Sequence, residues 1–220
     1  MSLHPRRPAS LSMAAANSLP DRDPAVRLEA AHSSAQAVVS RLRDSGDPGA
    51  GERMVAAIDS DEGLDAAARL WAVASAVSLP GALWRLVALR AGVRSAPARA
   101  AREFDAGRSR LPVAEVVAGV AEPPVPDEVT AMVDSVLRGV GDGDLGVTFE
   151  RAAAFARVCS VGRAVLADAP ADDVPAEPDP VADLDAELDA ARLTRSASAL
   201  VQTAEDLEAC ARQWRRHALD

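Results

Sequence analysis

Few side chains in this chain could do ordinary catalysis. It holds His4, His32 and His217 as its histidines and Cys159 and Cys210 as its cysteines. A general base must lie within hydrogen-bond reach of the group that it deprotonates, and a nucleophile needs such a base beside it. His4 stands before Pro5 in the tail at the start of the sequence, and His32 falls within an apolar-periodic stretch. His217 follows Arg215 and Arg216, where a ring that can be protonated complements a helix end. Cys159 follows Ala152, Ala153 and Ala156 at helical spacing, the setting of a packing thiol rather than a reactive one. The two cysteines are too far apart to form a metal-spaced pair, and they give no disulfide framework. We assign no catalytic residue, cofactor-binding residue or metal ligand, and expect no cofactor. Carboxylates are plentiful, so an enzyme whose acid site is assembled only by the fold stands as a third reading.

Two motifs need weighing. Gly141-Asp-Gly-Asp-Leu-Gly146 fits the G-x-G-x-x-G spacing of dinucleotide sites, but that loop works at the end of a strand. Here a helical pattern precedes it, and Asp142 and Asp144 would repel a pyrophosphate. The second lies between Arg85 and Arg110, which hold seven arginines against Glu103 and Asp105, a basic stretch in an acidic chain. Within it Ala88, Ala91, Gly92 and Val93 resemble the helix-turn-helix corner of Lac-type bacterial repressors. The resemblance implies an Ala-Gly-Val turn and a following recognition helix, with Arg85, Arg90, Arg94, Arg99 and Arg102 toward nucleic acid. Pro97 departs from the pattern, and alanines stand where base-reading side chains belong. DNA binding is the alternative reading, and nucleic acid is not the expected partner.

The most regular pattern is near the C-terminal end. Leu193, Leu200, Leu207 and Trp214 recur every seventh residue, and Ala197, Ala204 and Ala211 recur at the complementary position. This is an a/d stripe with a small-residue seam, similar to the alanine-rich antiparallel coiled coils of helical proteins. The resemblance implies close helix packing and no reaction. The stripe serves either the chain's own core or a second chain, a homodimer included.

These residues must be carried by helices. The chain has 220 residues, is rich in alanine, a strong helix former, and has 3% aromatics and no tyrosine. Asp23-Pro24 opens a first helix that stops at the turn residues from Gly46. A short helix is expected over 52–59. Ser60 caps another that runs through Val77, and Pro80 starts a helix over 83–91 that Gly92 ends. Pro97 opens one reaching about Gly107, and 111–120 is assigned to helix. Asp127 caps a helix ending near Gly139, and Thr148 opens a long one ending by Asp168. Residues 169–180 hold four prolines and four acids, an acidic linker that cannot pack. Residues 181–220 contain neither Gly nor Pro and read as one helix of roughly 55 to 60 Å.

The fold class is therefore all-α: a disordered tail over 1–22, a multihelix bundle over 23–168, a disordered linker over 169–180 and a long amphipathic helix over 181–220. All 24 basic residues are Arg, and the net charge is −9, which opposes broad attraction to phosphate or anionic membrane. No apolar run approaches the roughly 20 residues of a membrane helix, so a cytoplasmic location and no membrane partner are expected. Leu83-Trp-Arg-Leu, Val117-Ala-Gly-Val-Ala-Glu-Pro-Pro and Phe149-Glu-Arg-Ala-Ala-Ala-Phe look similar to uncharacterised all-helical proteins of GC-rich actinobacteria, a resemblance that implies no activity. The reading is a non-catalytic interaction or assembly protein that engages a protein partner or itself through the heptad helix.

Overall fold

The computed structural model describes residues 23–44, 49–111, 144–168 and 180–220, with Asp127, Thr130, Ala131, Asp134, Ser135, Arg138 and Val140 between them. In the last helix it describes side chains from Arg195 onward. The tail over 1–22, the segment over 112–126 and the linker up to 179 lie outside the described residues.

Among the described residues the chain forms seven helices and no strand: α1 (Pro24–Asp44), α2 (Ala50–Ile58), α3 (Asp61–Trp71), α4 (Leu79–Ser95), α5 (Pro97–Arg108), α6 (Leu145–Ala167) and α7 (Pro180–Arg215). Several starts follow from capping chemistry. The Asp23 carboxylate accepts the Ala25 amide at 3.0 Å, and Ser60 Oγ accepts that of Gly63 at 3.0 Å. Each satisfies one of the backbone donors that a helix start leaves without an intrahelical acceptor.

Four boundaries differ from the sequence expectation. The helix from Ser60 stops at Trp71 rather than Val77. The chain turns back at once, so that Ser78 caps α4 and the Ser75 carbonyl lies where a Cβ on Gly81 would meet it at 2.0 Å. Only glycine permits that approach. The helix from Pro80 does not end at Gly92 but continues to Ser95. A helical glycine costs only about 1 kcal/mol against alanine, whereas Pro97 pushes the preceding residue out of the α region. Ala96 accordingly has φ −151° and ψ 65°. The long helix α6 starts at Leu145, with Asp144 as cap accepting the Gly146 amide at 2.7 Å, and Thr148 lies within its first turn. Helix α7 ends at Arg215 instead of reaching Asp220. His217 takes a left-handed φ of 54°, the backbone reverses, and the Leu79 amide donates to the Asp220 carbonyl at 2.5 Å.

Helix α4 is the axis of the bundle, packing against α1, α3, α5, α6 and α7. It is buried around much of its circumference, through Leu79, Ala82, Leu83, Leu86, Val87 and Val93. The antiparallel α6–α7 pair makes the most extensive helix contact among the described residues. Ala152, Ala153 and Ala156 of α6 and Ala204 and Ala211 of α7 are buried in one core together with Leu207, Cys210 and residues of α1 to α4. Small side chains let the helix axes approach. Arg157 pairs with Glu208 and Arg215 with Glu150, each at 2.5 Å, in keeping with the antiparallel register.

Helices α5 and α6 cross closer still. A Cβ on Gly162 would lie 1.6 Å from the Glu103 carbonyl oxygen, and one on Gly107 1.9 Å from that of Val158. Beside this crossing Phe104 stacks on Phe155 at 5.6 Å, and the Glu103 carboxylate, with its side chain 3% exposed, is held by Arg163 at 2.6 Å. Arg163 reaches on to Ser196 of α7, tying three helices at one point.

Candidate functional site

The arginines of the basic stretch do not share a face. Arg85 and Arg90, five residues apart on α4, point about 140° away from each other. Arg85 faces α7, donating to Asp206 from Nε at 3.0 Å and Nη2 at 2.7 Å, with Nη1 on the Gly81 carbonyl at 3.2 Å. Arg90 is 2% exposed and donates to Asp59 at 2.5 Å and Asp134 at 2.6 Å. Arg94 lies across the same two carboxylates at 3.3 and 3.7 Å. The hydrogen bond from Arg90 holds the Asp59 carboxyl below its ordinary value, outweighing the opposing effect of burial. On α5, Arg99 is 3.7 Å from Glu103, and Arg102 is exposed. Ala91, Gly92 and Val93 all lie inside α4, so the turn implied by the repressor resemblance is absent there, and the corner falls at Ala96.

The heptad stripe is used within the chain. Ala197, Ala204, Leu207 and Ala211 are buried, Leu200 and Trp214 are partly buried against the core, and the Leu193 side chain lies outside the described residues. The buried face of α7 is wider than the stripe, because Asp206 and Cys210 are buried as well. Heptad spacing gave no sign of either. Asp206 is buried there by its pairing with Arg85, more than a hundred residues away in the chain.

Neither thiol is poised to react. Burial pushes the Cys159 thiol far above its ordinary value, and it raises that of Cys210 to about 11. Cys210 donates to the Ala76 carbonyl at 3.6 Å. Both stay protonated at neutral pH, and a thiol is a much poorer nucleophile than a thiolate. Among the described residues no three His, Cys, Asp or Glu side chains come together as a metal-holding group. His32 is partly buried on α1, and His217 is exposed beyond α7. Of the G-x-G-x-x-G segment, Asp144 to Gly146 are described, and they form the α6 cap.

Among the described residues a shallow groove of about 340 Å³ lies open to solvent between the α3–α4 turn, α4 and α7. Its apolar lining is Ala72 and Ala74 of the turn, Trp84, Ala88 and Leu89 of α4, and Leu200 of α7. Arg85 and Thr203 supply its polar part. Val73, between the two turn alanines, is 53% exposed. The elements explain the shape. Small residues at 72, 74 and 88 leave room among the larger side chains of Trp84 and Leu89 on α4 and Leu200 on α7. The Arg85–Asp206 pair holds those two helices in place. Sequence reasoning placed 83–91 on a helix without seeing this surface. The signal was present, since 82–89 are apolar except Arg85, more than one buried face requires.

Fold and surface together define an all-helical bundle with an apolar groove on one side. No protein-family model matches the chain, and no curated protein or solved structure shows significant similarity to it. No helix of the described residues is long and apolar enough to cross a membrane.

Proposed function

We propose that this protein is a non-catalytic interaction module that receives an apolar segment of a protein partner, a second copy included, in the groove between α4 and α7. The carrying observation is the partly exposed Trp84, which lines the groove with Leu89 and the small Ala88 of α4 and with Leu200 of α7. Tryptophan beside arginine at the edge of an apolar depression is the composition in which interface energy concentrates. The reading shifts the interaction surface from the heptad stripe itself to its margin. Most of the stripe is engaged by α6 and α4, and Leu200 lines the groove. DNA binding has less support, because Arg85 and Arg90 are committed to carboxylates and a phosphate would have to displace them.

The test is a photo-reactive residue at Ala88, in the groove and exposed, with the same residue at the exposed Arg212 as a control. A discrete adduct at 88 alone, lost when Trp84 is replaced by Ala in a protein that still unfolds cooperatively, supports the reading. The adduct's mass then tells a second copy from another protein. Equal labelling at both positions, or none at 88, overturns it.

A further inference from the structure

We draw no further inference here: the strongest candidate beyond the groove, the side-chain cluster of the buried Arg90 with Arg94, Asp59 and Asp134 where α4 meets the α2–α3 connection, is neutralised by its own ion pairs, and the buried Nη2 of Arg90, without a partner among the described residues, has no second observation beside it that points to a ligand.

Discussion

Gly92 and Gly162 are both helical glycines, and their surroundings give the same substitution opposite signs. A Cβ on Gly92 meets nothing within 4 Å, and its helix runs on past it. Gly92→Ala should therefore stabilise by roughly 0.5 to 1 kcal/mol, by reducing the freedom of the unfolded chain. A Cβ on Gly162 would overlap the Glu103 carbonyl, so Gly162→Ala must push α5 from α6 and should cost on the order of 1 to 3 kcal/mol. Thermal midpoints moving in opposite directions are expected; a shift of the same sign in both would refute the close crossing. Asp59 belongs to the same scale. Its folded carboxyl titrates below the ordinary value of 3.8, so it binds its proton less readily folded than unfolded. Its contribution is present above that ordinary, unfolded value and is lost as pH falls through the folded one. Asp59→Asn should therefore lower the urea midpoint at pH 7, with the gap to the parent narrowing by pH 3. A gap that does not depend on pH would mean that the Arg90 pairing is not what Asp59 contributes.

At the scale of elements, α7 is part of the bundle rather than an arm beside it. Ala204, Leu207 and Cys210 show no exposed surface, and Ala211 shows 1%; residues of α1, α3, α4 and α6 share the core that these side chains enter. Removing 180–220 should therefore abolish cooperative unfolding of what is left, since it opens that core to water along the length of α6. A truncated chain that still melts as a folded monomer would show the helix to be dispensable. A finer probe is Ala204→Leu, which adds a branched side chain where two helices meet and should cost roughly 1 to 3 kcal/mol. Glu205→Ala, one residue along on the exposed face, should stay within about 0.5 kcal/mol. Denaturant midpoints for the pair separate a packed seam from an accident of alanine-rich composition.

At the scale of the whole molecule, the groove leaves apolar surface in water between α4 and α7. Ala88→Glu places a carboxylate in it from an exposed helical position and should leave the thermal midpoint within a few degrees, because nothing buried is disturbed. Crosslinking at 88 cannot read this variant, so the readout is a photo-reactive residue at the exposed Val73. Loss of its adduct with the fold intact is expected. An adduct of undiminished yield would place the contact outside the groove.

Helix type was legible in the sequence because it depends on local chemistry: alanine content, Asp23 and Ser60 as caps, and prolines at 24, 80 and 97 as starts are read within a few residues of where they act. The seam of α7 was legible as a pattern for the same reason, since a period of seven is a property of one helix. Its partner was not. Which surface covers Ala204 and Leu207 depends on how far the chain travels before it returns, and the tertiary structure answers with α6 and α4. Boundaries failed where two local signals competed within a few residues of each other. Gly92 is a poor helix former that α4 carries to Ser95, and residues 72–77 leave a helical pattern because the Ser75 carbonyl must lie against Gly81. The basic stretch shows the same division. Seven arginines can be counted in the sequence, but whether a guanidinium meets solvent or a carboxylate depends on acids far away in the chain, and only the fold brings Asp206 to Arg85 and Asp59 to Arg90. The groove is the furthest from the sequence, for it is space left between three elements, and no single segment encodes it.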